Sequence, residues 1–253
     1  MSLLDVNNVG VRFGGVVALD DLSFTVEPGR ICALIGPNGA GKTTLFNVLS
    51  RLYQANSGTV TFDGHDLLSV PSHKIVRRGL ARTFQNVALF PALTVLENVL
   101  TGAHDQGHVG FGRSMLRIGA AREERKLRSR CLELLDRLGL VELAHRPVAG
   151  LPFGTLKRIE FARALASEPK LLMLDEPANG LTHSEVDELA ETIRSIRDQF
   201  DLTILLVEHH MAMVMAISEH IVVLDFGRKI ADGPPESVRN DPVVIEAYLG
   251  APA

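Results

Sequence analysis

No apolar stretch of this 253-residue chain reaches the roughly 18 to 20 residues that a bilayer-spanning helix needs, although 46% of its residues are hydrophobic. The chain is therefore not expected to cross a membrane by itself. Its first residues, Met1-Ser2-Leu3-Leu4-Asp5, lack the basic start, apolar core and small-residue cleavage site of a secretory signal, and the expected location is the cytosol. Cysteine is scarce: Cys32 and Cys131 lie in apolar contexts, far apart and without metal-ligand spacing, which excludes a disulfide framework and predicts two reduced core thiols. There is no excess of positive charge either. With 26 Lys and Arg against 30 Asp and Glu, the net charge of −4 excludes a general grip on phosphate backbones, so nucleic acid is not expected as a main partner. Internal repeats and low-complexity tracts are absent, and the length suits one α/β unit with lobes.

The apolar residues are arranged in short runs. Val9–Phe13 and Leu22–Val26 have strand character and are punctuated by Glu27-Pro28-Gly29. Ile31-Cys32-Ala33-Leu34-Ile35 is wholly apolar and ends at a glycine, the pattern of a buried parallel strand, and a helix should follow through Leu45, Phe46, Val48 and Leu49. Residues 58–62 alternate and close on an Asp63-Gly64 turn, which predicts a strand returning to the first sheet. From about Thr94 to Leu140 the spacing becomes helical, and its charged run at residues 121–128 reads as a solvated helix face. Further apolar runs at Lys170–Leu174, Leu202–Val207 and Ile221–Leu224, separated by helical stretches, predict repeated parallel strand and helix units.

Two motifs carry chemistry. Gly36-Pro37-Asn38-Gly39-Ala40-Gly41-Lys42-Thr43 matches GxxxxGK[ST], between an apolar strand and a helix. The glycines let successive amides face an anion and the helix adds its positive end. Lys42 is expected on the outer phosphates of a nucleotide, and the Thr43 hydroxyl on Mg²⁺. Leu171-Leu172-Met173-Leu174-Asp175-Glu176 is a second apolar strand ending in two acids. Beside a P-loop, Asp175 is expected to steady Mg²⁺ and Glu176 to orient the attacking water or accept its proton. Alone, the same run would be a strand end with solvated acids.

These motifs occur with Arg82-Thr83-Phe84-Gln85-Asn86, Leu151-Pro152-Phe153-Gly154-Thr155 and Val207-Glu208-His209-His210 in an order that resembles the ATP-binding cassette (ABC) ATPases over nearly the whole chain. The resemblance implies an α/β fold: a P-loop core with a mostly parallel sheet, an antiparallel β lobe and a helical lobe. It divides the chain into a core with its β lobe, residues 1–86 and 158–253, and a helical lobe with the signature segment, residues 87–157. ATP and Mg²⁺ are the implied cofactors. The phosphates would meet Asn38, Gly39, Ala40, Gly41, Lys42, Thr43 and Thr44, and the base Phe13 with Ala18 beside it. Gln85 would touch Mg²⁺ or water, and His209 would stand near the γ-phosphate. Judged by alternation alone, Phe13 is a core strand residue, and the adjacent His209 and His210 lack a further cluster spaced for a metal.

The resemblance further implies a head-to-tail dimer, with itself or a second ABC ATPase, in which Leu151, Pro152, Phe153, Gly154 and Thr155 of one subunit close on the nucleotide of the other. The usual Leu-Ser-Gly-Gly-Gln is replaced there, so the serine hydroxyl is missing. Gly180-Leu181-Thr182-His183 likewise stands where a D-loop aspartate is common. Residues 81–86 and 93–99, and the ending Val244–Gly250, are similar to one of the two ATPases of branched-chain amino acid importers. The implied partners are two integral-membrane permeases and, indirectly, an exported solute-binding protein. The implied position is peripheral, on the inner face of the cell membrane. Phe90, Leu93 and Leu96 are expected to line a groove for a permease helix, with core packing as the other reading. Two other functions remain open at this point: a non-transport ABC ATPase, and a nucleotide-sensing partner with weak hydrolysis.

Overall fold

The computed structural model describes residues 2–83, 88–103 and 120–249. Along the chain they form β1 (Leu4–Phe13), β2 (Val16–Val26), β3 (Ile31–Ile35), α1 (Lys42–Leu49), β4 (Ser57–Phe62), β5 (His65–Asp66), β6 (Leu80–Arg82) and α2 (Val95–Gly102). Next come α3 (Ala120–Arg137), α4 (Phe153–Leu165), β7 (Leu171–Asp175), α5 (His183–Phe200), β8 (Thr203–Val207) and α6 (Met211–Ile217). The chain ends with β9 (His220–Asp225), β10 (Arg228–Gly233), α7 (Pro235–Arg239) and α8 (Pro242–Leu249). Two compact units result: residues 1–75 with 170–253, and residues 76–169. These breaks fall outside the expected 86/87 and 157/158. The second expected cut would bisect α4, whose hydrogen-bonded turns run unbroken from Phe153 to Leu165.

In the first unit, β1 pairs antiparallel with β2 and β4, and β5 extends the sheet in the order β2-β1-β4-β5. Leu4, Val6, Val9 and Val11 turn inward and are at most 1% exposed, the alternation expected of a sheet with one covered face. Asp63 and Gly64 take φ of 49° and 75°, so the predicted turn reverses the chain with both central residues left-handed, as a tight hairpin requires. The other sheet runs β10-β9-β3-β8-β7 within this unit. β3 is parallel to both β8 and β9, and β7 is parallel to β8, while β10 folds back antiparallel on β9. Every residue of β3, β7 and β8 is buried, which explains why these strands read as continuous apolar runs rather than alternating ones. Cys32 and Cys131 are both free and buried, and burial pushes the Cys32 thiol far up.

The second unit is helical. Thr94 caps α2, exchanging hydrogen bonds with Glu97 in a capping box. Val95, Leu96 and Val99 of α2 pack with Cys131 and Leu135 of α3 and Ile159 and Ala162 of α4. Gly102 permits the approach of α2 to α4, because a Cβ there would lie 1.9 Å from the Arg163 carbonyl oxygen. Residues 122–126 of α3 are exposed, in line with a solvated charged face. Of the two readings open for Leu96, groove or core, the core holds: it is 0% exposed and belongs to this cluster, whereas Phe90 is 53% exposed. The physical reason is that α2 buries adjacent positions, 95 and 96, so Leu96 faces inward with Val95.

Leu96→Ala should therefore lower the unfolding free energy by about 2–5 kcal/mol, as large-to-small core changes do. Phe90→Ala should change it by less than about 0.5 kcal/mol, both read from urea denaturation curves.

Candidate nucleotide-binding site

Parallel pairing sets Leu34 of β3 opposite Val207 of β8, and Val207 opposite Asp175 of β7. Three loops consequently leave the sheet at one edge, the carboxyl ends of the strands where open α/β sheets hold ligands. With strands about 4.8 Å apart, the loop after β3 and the acids after β7 lie about 10 Å from one another, the loop after β8 between them.

The loop after β3 is held by close backbone approaches. Gly36 has φ 150°, and a Cβ on it would lie 2.1 Å from the Leu224 carbonyl oxygen. Gly41 has φ 101° and serves as the N-cap of α1, with the Ala18 carbonyl oxygen 2.6 Å from where its Cβ would be. Ala40 N–H donates to Pro37 O at 3.2 Å, and Gly227 N–H from the β9–β10 turn donates to Ala40 O at 3.0 Å. Tyr248 of α8 is 40% exposed, and its partial burial pushes the phenol up to about 12, the Gly36 backbone opposing the rise. Lys42, the first residue of α1, is 8% exposed and folds back so that Nζ donates to Gly36 O at 2.6 Å and Pro37 O at 3.0 Å. Burial holds its ammonium below the usual lysine range, and the Glu176 carboxylate opposes that shift. Asn38, Gly39 and Thr43 are exposed and Thr44 is half-buried. The first amides of α1 have no intrahelical acceptors and suit an anion.

Asp175 is 8% exposed at the end of β7. Glu176 follows with φ 46°, unusual for a residue with a side chain, and its N–H donates to Val207 O at 2.9 Å. A hydroxyl at Thr43 and a carboxylate at Asp175 are hard oxygen donors of the kind Mg²⁺ takes, so the residues present fit the ion.

The next residues sit on the loop after β8. His209 has a 55% exposed side chain, and His210 packs on it with ring centroids 4.6 Å apart. Glu208, between strand and histidines, is not among the residues the sequence singles out, although it directly follows an apolar strand just as Glu176 does. Its donor atoms and those of the two histidines lie within 4.8 Å of one another. Its oxygens, however, accept backbone N–H groups from Ala178 at 2.8 Å, His209 at 2.8 Å and His210 at 3.1 Å, which makes this cluster a hydrogen-bonded anchor. Phe13, at the end of β1, is 46% exposed and meets Tyr53 edge-on with centroids 5.1 Å apart, so it is not the core residue that alternation alone suggested. Tyr53 was invisible to sequence reasoning because it follows α1, forty residues from Phe13. Ala18 lies against Gly41 through its backbone carbonyl.

Gln85 lies outside the described residues. Leu151–Thr155 belong to the second unit. Pro152 occupies the N-cap of α4 without a side-chain cap, and Phe153 and Gly154 are exposed. Thr182 is taken up as the cap of α5, its N–H and hydroxyl both donating to Glu185 at 2.8 and 2.7 Å.

A glycine-built phosphate loop, a strand-end acid pair and a parallel core together define a P-loop nucleoside triphosphatase. Residues 19–179 match the family model described as ABC transporter, and residues 228–253 match one described as branched-chain amino acid ATP-binding cassette transporter. The chain is 42% identical over 249 residues to the high-affinity branched-chain amino acid transport ATP-binding protein BraF of Pseudomonas aeruginosa, covering 98% of each. Its identity to LivG of Escherichia coli, named in the same way, is 43% with the same coverage. Among solved structures, MJ1267, an ATP-binding cassette of an ABC transporter in its ADP conformation, superimposes with a TM-score of 0.86 at 31% identity, covering 99% of both chains. The chain belongs to the ATP-binding subunits of ABC transporters, and it is an ATPase of that family.

Gly36→Ala should force Leu224 and the loop apart. The expected loss is roughly 1–3 kcal/mol of stability, read as a lowered Tm in calorimetry.

Proposed function

We propose that this chain is the ATP-hydrolysing subunit of an importer for branched-chain amino acids, working at the inner face of the cell membrane beside two permeases. The observation that carries the reading is its near-full-length identity to two subunits named for that transport, together with the C-terminal match to the branched-chain cassette model. No helix among the described residues is long and apolar enough to cross a membrane, so solute passage falls to the permeases. A solute-binding protein takes part indirectly, through those permeases.

ATP binds along the β3–α1 loop. Asn38, Gly39, Ala40, Gly41 and Thr44 wrap the phosphates with backbone and hydroxyl donors, and Phe13 packs on the base beside Ala18. Lys42 exchanges its hold on the Gly36 and Pro37 carbonyls for the outer phosphates. Thr43 and Asp175, and by family resemblance Gln85, would hold Mg²⁺, which would supply positive charge against the phosphate oxygens. Glu176 orients the attacking water and takes its proton, and His209 stabilises the terminal phosphate. Two cassettes close head to tail. Leu151, Pro152, Phe153, Gly154 and Thr155 of one then face the nucleotide of the other. Pro152 brings no hydroxyl, and the exposed amides at the start of α4 take over the role of anion donors. ATP drives the cycle only because the closed pair binds it better than the open pair does.

Lys42→Ala should weaken Mg-ATP binding by about 1.5–3 kcal/mol, the worth of charge-assisted hydrogen bonds, in isothermal titration. Glu176→Gln should bind Mg-ATP as the parent does and accumulate as a dimer, with turnover reduced at least about a hundredfold. In cells lacking the gene, uptake of labelled leucine should fall and return with the parent chain but not with Lys42→Ala. Unchanged leucine uptake would assign the subunit to another solute.

A further inference from the structure

The strand-end acids and the histidine loop are separate in sequence, and the pairing of β7 with β8 joins them only as far as Asp175 and Val207. Beyond that level the ladder ends, and something else must fix the residues that follow. Glu176 adopts φ 46°, a left-handed conformation that costs a residue with a side chain about 1–2 kcal/mol. Such a residue persists only where its surroundings over-determine it. Its own N–H is held by Val207 O at 2.9 Å. Two residues on, the N–H of the buried Ala178 is held by Glu208 Oε1 at 2.8 Å. Consecutive residues of one strand end, 207 and 208, therefore clamp the Glu176 loop on both flanks.

The other Glu208 oxygen serves the opposite loop. Oε2 accepts His209 N–H at 2.8 Å and His210 N–H at 3.1 Å, and the His210 ring nitrogen Nδ1 lies 3.1 Å away. The Glu208 side chain is 0% exposed, so water does not compete for these bonds. The His209 ring, by contrast, stands 3.8 Å from the carboxylate and projects outward. Glu208 thus grips the backbone of His209 while leaving its imidazole available.

We propose that Glu208 is a positioning residue for ATP hydrolysis, a buried two-sided acceptor that locks the Glu176 loop to the His209 loop. The proposal rests on the reading of Glu176 and His209 as the hydrolytic pair. Glutamine has nearly the same shape but only one acceptor oxygen, and its NH₂ would point at a backbone N–H. One of the two loops is then released. The nucleotide loop, formed by other residues, stays as it is.

The test is steady-state ATPase kinetics on the intact chain for Glu208→Gln, with Mg-ATP affinity and Tm measured in parallel. A displaced catalytic group should lower kcat roughly ten- to a hundredfold, with KM and affinity for Mg-ATP within about twofold of the parent. In a Glu176→Gln/His209→Ala background the same substitution should cost no more than about twofold in the residual rate, because Glu208 acts through those two residues. Unchanged kcat in Glu208→Gln, or a further large loss in that combined variant, would overturn the proposal. Should Glu208→Gln not fold, Glu208→Asp, which keeps the charge at shorter reach, is read in the same way. Glu176→Gln and His209→Ala run beside it. Parental turnover by those two removes the catalytic reading and the proposal with it, whereas impaired turnover by them and parental turnover by Glu208→Gln overturns the proposal alone.

Discussion

The parallel register of β3, β8 and β7 is the constraint on which the site depends. With Leu34, Val207 and Asp175 abreast, the phosphate loop, the acid pair and the histidine loop emerge side by side although they are 140 and 30 residues apart in the chain. A slip of one residue in β7 would turn Asp175 to the opposite face of the sheet, because side chains alternate along a strand. Burial opposes the slip: all three strands are covered on both faces, and their apolar runs end at the candidate site residues.

Around that edge the chain stores backbone conformations that side chains resist. Gly36 and Gly41 accept contacts with the Leu224 and Ala18 carbonyls that a Cβ would block, and Glu176 accepts a left-handed φ. Hydrogen bonds to other elements meet these stretches: Gly227 N–H of the β9–β10 turn donates to Ala40 O, Val207 O of β8 accepts Glu176 N–H, and Glu208 accepts Ala178 N–H.

Much of this was legible in the sequence, for identifiable reasons. The strands β3, β7, β8 and β9 announce themselves because double-sided burial demands unbroken apolar runs, and the phosphate loop because only glycine tolerates its backbone. Turn chemistry at Asp63-Gly64 gave the hairpin into the first sheet. What escaped were contacts between distant segments. Ala178 bonded to Glu208, Tyr248 against the Gly36 backbone and Phe13 resting on Tyr53 follow no local period. Glu208 carries one usable signal, an acid directly after an apolar strand, as Glu176 is. Leu96 is ambiguous in sequence because Phe90 and Leu93 beside it suggest a patch as readily as a core, whereas α2, opened by the capping box at Thr94 and Glu97, buries it in the helical core.

Every proposed step of hydrolysis requires the β3–α1 loop to be a triphosphate receptor. Isothermal titration of the folded chain with ATP in the presence of Mg²⁺ tests this most directly. One saturable site per chain, weakened when Mg²⁺ is withheld, is the predicted result, and no heat of binding from protein shown to be folded would contradict it.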